Sequence, residues 1–355
     1  MADPLGTQPV ELYPERRWQK NSQTDTSKYF THSQTETTQN QQTNDEEEPS
    51  DTSSTANRSR QRQGVLSFSN GQLTTKKPLT NPIPRDDVGR KGLAEVAQET
   101  WTLLPGLLAT RPDVTNDSFM CRKEILDATR CPRLASTKVQ VIDMDTIDAA
   151  LMIQSNNDGR PVAVLNMANA QHAGGGWQHG ALAQEEAICY RTSLAKTLRR
   201  KHYPIPFDAA LYSPSVMIIR GSFNNGHDLL DFRDPSQLEV ISVISCAAVC
   251  QPAVGEYANG KLYYQDQSDV KLMREKMRII LRTAIRNRHR KIVLGAFGCG
   301  AFANPNYVVA GMWKDVLLET EFQGGYWNSV VFAVLDGKRD DNFEVFYDQL
   351  DGLLI

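Results

Sequence analysis

The chain has 355 residues, of which 23% are charged, and its formal net charge is −3. No apolar run approaches the ~20 residues that span a bilayer, and the N-terminus lacks the basic-then-apolar pattern of a secretory signal. The six cysteines include no CxxC pair, which is typical of a reducing compartment. We therefore expect a protein of the nucleus and/or cytoplasm without membrane attachment.

Residues 1–83 are rich in Gln, Thr and Ser. Between Lys20 and Asn57 the only apolar residues are Tyr29, Phe30 and Ala56. Such a segment buries too little apolar surface to offset the entropy lost on ordering. We predict that residues 1–83 form a disordered tail.

Two motifs stand out in this tail. The segment from Gln23 to Phe30 resembles the peptide that docks on the DNA sliding clamp, but Thr26 stands where that motif has Leu, Ile or Met. Four Ser/Thr-Gln pairs resemble sites of DNA-damage-response kinases: Thr7-Gln8, Ser22-Gln23, Ser33-Gln34 and Thr38-Gln39. Clamp docking and a role in the DNA damage response are one interpretation. Chance occurrence in a Gln/Thr-rich tract is the other.

The rest of the chain alternates between helical and strand patterns. Residues 84–137 contain helical spacing at 93–108 and 119–128, which predicts a helical extension. The predicted strands that follow are 139–142, 162–167, 215–219, 238–246, 292–297 and 329–335. The predicted helices are 146–153, 184–200, 270–288, 307–319 and 343–350. About six strands alternating with helices indicate an α/β domain at residues 138–355, a three-layer α/β/α arrangement around a mixed sheet.

Two glycine-rich turns directly follow predicted strands. The first contains Gly174, Gly175 and Gly176, and the second runs through Gly298, Cys299, Gly300, Ala301 and Phe302. Ligands of such sheets bind beyond the carboxyl ends of the strands, so both turns can lie at one edge. Backbone N–H groups in glycine turns suit phosphate oxygens, which favours a diphosphate held from two sides. Taken singly, each turn is better interpreted as a tight turn without a ligand.

Gln184, Glu185 and Glu186 open the predicted helix that follows the first turn. Two adjacent carboxyls at a helix start can border one cavity, and their mutual repulsion favours a proton on one of them. Such a pair can protonate a leaving oxygen and then deprotonate water. Ordinary acidic residues at a helix start are an equally good interpretation of the pair alone.

Three further features have weaker signals. Asn169 follows a strand, where an amide can hydrogen-bond a sugar hydroxyl. His172 and His179 flank the glycines without a third residue at metal-ligand spacing, so we predict no metal site. The basic face of the helix at 270–288 could bind phosphate, although a solvated helix face is the commoner meaning of such a pattern.

Together these motifs resemble a known family. Gly-Gly-Gly, seven residues and then Gln-Glu-Glu resembles the signature of poly(ADP-ribose) glycohydrolases, and the segments at 166–169 and 295–302 resemble the ribose and diphosphate loops of macrodomains. The order of elements is most similar to the microbial and fungal type of this enzyme. The resemblance covers residues 84–355 and implies a macrodomain-like catalytic domain behind an N-terminal helical extension.

The resemblance also implies roles for individual residues. Glu186 would be the catalytic acid and base, and Glu185 would hydrogen-bond ribose hydroxyls at the scissile bond. Asn169 would hold the distal ribose, Phe302 would pack on a ribose, and the glycine turns would cradle the diphosphate. Gln184 belongs to the same signature and is included among the substrate-binding residues.

The implied function is hydrolysis of ribose–ribose O-glycosidic bonds in poly(ADP-ribose), mainly from chain ends, without a cofactor. The partners would be the polymer or ADP-ribosylated proteins. Two alternatives stay open: a non-catalytic module that binds ADP-ribose, and a hydrolase of mono-ADP-ribose on protein or nucleic acid.

Overall fold

A computed structural model describes residues 87–154, 159–223, 226–336 and 341–355, together with the backbone of two short strands at 67–69 and 72–74. Those two strands pair as an antiparallel hairpin within the predicted tail. The rest of the tail lies outside the described residues, including the Ser/Thr-Gln pairs and the clamp-like segment.

The helices are α1 (Asp87–Thr110), α2 (Thr146–Ile153), α3 (Gln184–Arg191), α4 (Leu194–Thr197), α5 (Gln267–Arg286), α6 (Asn306–Leu317) and α7 (Asn342–Leu350). The strands are β1 (Ser67–Ser69), β2 (Gln72–Thr74), β3 (Phe119–Arg122), β4 (Val139–Ile142), β5 (Ala163–Met167), β6 (Ala209–Met217), β7 (Val240–Cys246), β8 (Val254–Glu256), β9 (Leu262–Tyr264), β10 (Lys291–Leu294) and β11 (Ser329–Ala333). No helix among the described residues is long and apolar enough to cross a membrane.

Seven strands form one mixed sheet in the order β3-β6-β7-β5-β10-β11-β4. The five strands from β7 to β4 are parallel, whereas β6 and β3 are antiparallel to their neighbours. β5 lies between β7 and β10, so the two glycine turns leave adjacent strands at the same edge of the sheet. The predicted mixed α/β sheet is confirmed, with one more strand than expected.

Helices cover both faces of this sheet because each central strand buries both of its faces. Alternate residues of β5 belong to different cores, with Ala163 and Leu165 on one side and Val164 on the other. The first core is completed by α5, α6 and α7. The second is completed by the early part of α1 with α2 and α3. This is the predicted three-layer arrangement.

The basic face of α5 is held by ion pairs. Its arginines pair with carboxylates from other segments: Arg274 with Asp315, Arg278 with Glu319, Arg282 with Glu321 and Arg286 with Glu124. These pairs join α5 to its neighbours and leave the arginines engaged. The ion pairs therefore favour the interpretation of this face as an ordinary helix surface over its interpretation as a phosphate-binding site.

The helix predicted at 119–128 is wrong. Residues 119–122 form β3, which pairs with β6 from Phe119 opposite Tyr212 to Arg122 opposite Ala209. Without β3, this side of β6 would expose unpaired N–H and C=O groups. Pairing across the sheet therefore overrides the local helical spacing.

The single helix predicted at 184–200 is also wrong, because it breaks after Arg191. The Thr192 hydroxyl donates to Ile188 O at 2.8 Å and accepts from the N–H of Leu194 at 3.1 Å. Ser193 exchanges bonds with Met217 on β6: its N–H donates to the Met217 carbonyl, and its hydroxyl accepts from the Met217 N–H, both at 2.9 Å. These hydroxyls compete with the helical hydrogen bonds and turn the chain along β6.

Candidate active site

The site is built at the carboxyl end of β5. Asn169 begins the loop there, and its side-chain Oδ1 accepts from the N–H groups of Gln171 at 2.8 Å and His172 at 3.0 Å. These bonds are typical of an Asx turn, which fixes the start of the loop. Nδ2 of the amide takes part in neither of these bonds.

The first glycine turn wraps around the two glutamates. Gly175 has a φ of +59°, and a Cβ there would collide with Oε1 of Glu186 and lie 3.1 Å from Oε2 of Glu185. Only glycine adopts this conformation readily while leaving room for the carboxyls. Both carboxyls therefore converge on the same turn, as the sequence predicted for a pair bordering one cavity.

Backbone N–H groups of this turn donate to the loop and to the glutamates. The N–H of Gly176 donates to Oε1 of Glu186 at 2.9 Å, and the N–H of Gly175 donates to His172 O at 3.0 Å. The N–H of Gly174 bonds Glu185. The carboxyl groups held by this turn in the structure are thus those of the glutamates themselves.

Glu186 is 8% exposed and lies in the first turn of α3. Its Oε2 accepts from the N–H of Ala183 at 3.1 Å, so the carboxylate also caps its own helix. With Gly176 on its other oxygen, the group is fixed from two sides.

Glu185 is 3% exposed, and burial raises its pKa to about 8. Its Oε2 accepts from the N–H of Asn169 at 2.7 Å, and its Oε1 accepts from Nδ2 of Asn166 at 3.3 Å. These bonds lower the pKa and the neighbouring Glu186 raises it, but desolvation is the largest effect. The pair therefore carries a proton at neutral pH, as predicted, although burial rather than mutual repulsion is the main cause.

Asn166 is a site residue that the sequence reasoning missed. It is fully buried in the middle of β5, where its Nδ2 donates to both Glu185 and Ser245 Oγ, the latter at 2.9 Å. The available signal was its polarity within the apolar run at 162–167. A buried amide in a central strand needs hydrogen-bond partners, and here one partner is the buried carboxyl.

Gln184 locks α3 onto β5. Its Oε1 accepts from the N–H of Met167 at 2.9 Å, and its Nε2 donates to Leu165 O at 2.6 Å and to Thr146 Oγ1 at 3.2 Å. Both ends of the amide are therefore occupied by the protein. The structure gives Gln184 a positioning role for the adjacent glutamates, and its contact with substrate stays a prediction.

Tyr190 holds the loop between the glycines and α3. Its hydroxyl is 2.8 Å from Trp177 O and 2.7 Å from Ala181 O. The neighbouring Arg191 is 2% exposed and pairs with Asp145 and with Asp148, the latter at 2.6 Å. Because Asp145 also caps α2, this ion cluster ties the site helix to the next helix of the layer.

The second glycine turn is organised by Asn304, which is almost fully buried. Its Nδ2 donates to Gly298 O at 2.9 Å and to Val249 O at 2.8 Å, and the Tyr264 hydroxyl donates to its Oδ1 at 2.7 Å. The turn after β10 is thereby joined to the loop after β7. Asn304 was also missed, because an Asn in a polar stretch gives no distinctive signal.

The residues of the second turn differ in exposure. Gly298 has a φ of +80°, and a Cβ there would lie 2.6 Å from Ala248. Burial raises the pKa of the Cys299 thiol. Gly300 and Ala301 are exposed, and Phe302 is half-buried against the first core. No backbone hydrogen bond among the described residues uses the N–H groups of Gly300 or Ala301.

The two turns meet through their strands. The Met167 methyl at the end of β5 lies 3.4 Å from the position of a Cβ on Gly295, at the end of β10. His172 and His179 are exposed loop residues. The part of the chain that the structure describes contains no cluster of three His, Cys, Asp or Glu side chains that could hold a metal.

Residues 114–221 match the family model described as microbial-type PARG, catalytic domain. This part of the chain is therefore similar to the catalytic domain of microbial-type PARG. The matched region includes the first glycine turn with Asn169, Glu185 and Glu186, whereas the second glycine turn follows it in the chain.

Solved PARG structures share the fold. A poly(ADP-ribose) glycohydrolase from Thermomonospora curvata bound to the inhibitor ADP-HPD is 25% identical, with a TM-score of 0.58 over 73% of this chain and 99% of that one. A Deinococcus radiodurans PARG in complex with ADP-ribose is 28% identical, with a TM-score of 0.51 over 62% of this chain and 86% of that one. No curated protein sequence matches the chain.

Proposed function

We propose that this protein hydrolyses ribose–ribose O-glycosidic bonds of poly(ADP-ribose), mainly from chain ends, and releases ADP-ribose. The observation that carries the proposal is the convergence of two buried carboxyls on one glycine turn, within a PARG-type domain. A module that only binds ADP-ribose has no use for such a pair, because burying two acids side by side is unfavourable. The solved relative that binds ADP-ribose supports the choice of ligand.

Of the two glycine turns, the second is better suited to bind the diphosphate. The N–H groups of Gly300 and Ala301 are unused by the backbone, whereas those of the first turn already bond the loop and the glutamates. Phosphate oxygens accept readily from such backbone groups. In this arrangement Phe302 packs on a ribose and Asn169 binds a hydroxyl of the distal ribose through Nδ2.

The reaction follows from the carboxyl pair. The proton that the pair holds passes from Glu185 to Glu186, which gives it to the leaving ribosyl oxygen as the bond from the anomeric carbon to that oxygen breaks and leaves an oxocarbenium-like centre. Water then attacks the anomeric carbon and returns a proton to Glu186. Glu185, having passed on its proton, accepts a hydrogen bond from a ribose hydroxyl beside the scissile bond.

Purified polymer and mono-ADP-ribosylated protein, supplied side by side, test the proposal. The wild type is expected to release ADP-ribose from polymer, and Glu186→Gln to lose about 10²–10⁴-fold in rate. ADP-ribose binding, measured by calorimetry, should persist in this variant because glutamine can still accept from Gly176. The matched control is Glu256→Gln, an exposed glutamate at the end of β8.

Each alternative has its own outcome. Unchanged polymer length identifies a binding module, and faster turnover of the mono-modified protein identifies a mono-ADP-ribose hydrolase. Early appearance of oligomers rather than ADP-ribose would show cleavage inside the polymer. Near-normal turnover by Glu186→Gln would reject this residue as the general acid.

A further inference from the structure

A basic segment follows the site helix. Between Glu186 and Asp208 the chain has no acidic residue but has five arginines and lysines. Arg191 is buried and neutralised within the ion cluster described above. The remaining four, on α4 and the turn after it, are Lys196, Arg199, Arg200 and Lys201.

Among the described residues, one carboxylate forms ion pairs with this segment. Asp117 lies 3.0 Å from Lys201 Nζ and 4.0 Å from Arg199 Nε. One acid cannot neutralise four cations, and both of these cationic side chains are about half exposed or more. The basic segment therefore presents a net positive surface suited to a polyanion.

The basic segment borders an open groove of about 370 Å³. Pro105, Leu108 and Ala109 of α1 form its apolar wall, and Lys196 and Arg199 form its charged wall. Lys196 Nζ also lies 3.1 Å from the centroid of the Trp101 ring, which is 39% exposed. Cations beside an exposed aromatic ring are typical of surfaces that bind a phosphate backbone carrying bases.

The basic segment is attached to the site at both of its ends. The Trp101 ring packs on Trp177, the residue after the first glycine turn, with centroids 6.2 Å apart. At the other end the N–H of Ile205 donates to Ala170 O at 2.8 Å, next to Asn169. Two residues further, Phe207 is 70% exposed.

Sheet order places Phe207 on the side of the leaving group. In the proposed arrangement, the diphosphate lies on the turn after β10 and the scissile bond lies at the end of β5. Continuing across the sheet in the direction from β10 to β5, the next strands are β7 and β6. β6 begins at Ala209, just after Phe207. The part of the polymer that leaves Glu186 therefore extends towards Phe207 and the basic segment.

We propose that Phe207 and the basic segment form a subsite for the poly(ADP-ribose) units that remain attached beyond the scissile bond. Phe207 stacks on an adenine of this polymer, and the arginines and lysines bind its diphosphates. The inference rests on the proposed function and extends it from the terminal ADP-ribose to the chain behind it.

The test compares long polymer with the shortest cleavable substrate, two linked ADP-ribose units. One variant removes three charges of the basic segment: Arg199→Gln, Arg200→Gln and Lys201→Gln. The matched control removes three exposed charges elsewhere: Arg130→Gln, Lys271→Gln and Lys314→Gln. We expect the first variant to raise KM for long polymer about tenfold, equivalent to about 1.4 kcal/mol, with kcat nearly unchanged. The short-substrate KM should rise less, because that substrate has only one unit beyond the scissile bond. Its KM should also depend less on salt.

Phe207 gives a second measurement. Phe207→Ala should raise KM for long polymer about fivefold or more through lost base stacking, and Phe207→Tyr should restore it. Unchanged long-polymer KM in both the charge variant and Phe207→Ala would overturn the subsite. Binding of labelled polymer, followed by anisotropy, separates the two proposals. A wild type that cuts nothing refutes the proposed function, whereas polymer affinity that is equal in all variants refutes the subsite.

Discussion

The buried carboxyl of Glu185 makes stability depend on pH in a direction opposite to that of most acids. Its pKa is about 8 in the folded protein against an ordinary value of 4.5. Between these values the folded state holds a proton that the unfolded chain has released. The free energy of unfolding therefore falls as pH rises through this window, and levels off above the folded pKa. With about 1.4 kcal/mol for each pH unit, the full effect is on the order of 5 kcal/mol.

Glu185→Gln removes this effect, because glutamine resembles the protonated carboxyl in shape and does not ionise. Urea unfolding of both proteins at pH 5.5 and pH 8.5 measures the difference. We expect the free energy of unfolding of the variant, relative to that of the wild type, to rise by about 3 kcal/mol from pH 5.5 to pH 8.5. Glu256→Gln, at an exposed position, serves as the control. A stability difference between Glu185→Gln and wild type that stays constant with pH would show that Glu185 is not held protonated.

Three further predictions test the framework of the site. Gly175→Ala should lower turnover at least tenfold, because its methyl would displace Glu186 and its φ is positive; Gly92→Ala, where a Cβ meets nothing within 4 Å, should leave turnover unchanged. Asn304→Ala should weaken ADP-ribose binding, measured by calorimetry, since the second glycine turn loses the amide that holds it. Arg191→Met should lower the free energy of unfolding by about 3–5 kcal/mol in urea, because its two aspartate partners lose their cation. Wild-type behaviour of any of these three would contradict the contact concerned.

Prediction of the fold and the site from the sequence was most accurate where the residues concerned lie close together along the chain. The buried strand, the glycines and the glutamate pair lie within about 25 residues of one another, so their order along the chain already sets their geometry. β5 and the start of α3 were found for this reason. The purely local patterns at residues 119–128 and 192–200 failed, because the edge of β6 supplies hydrogen bonds that helical spacing cannot reveal.

The residues that were missed act across long sequence distances. Asn166 meets Ser245 of β7, and Asn304 meets Tyr264 and Val249. Each pairing depends on strand order, which the pattern of elements alone leaves open. The raised pKa of Glu185 also could not be predicted from nearby residues, because it comes from burial beneath a loop and not from the residue's place in a motif.

A crystal structure of the protein with ADP-ribose would show whether Glu186 lies beside the bond that is cut. We expect a diphosphate on the N–H groups of Gly300 and Ala301, with the anomeric carbon of the distal ribose within about 4 Å of the Glu186 carboxyl. A distal ribose turned away from Glu186, or ADP-ribose bound at another edge of the sheet, would contradict it.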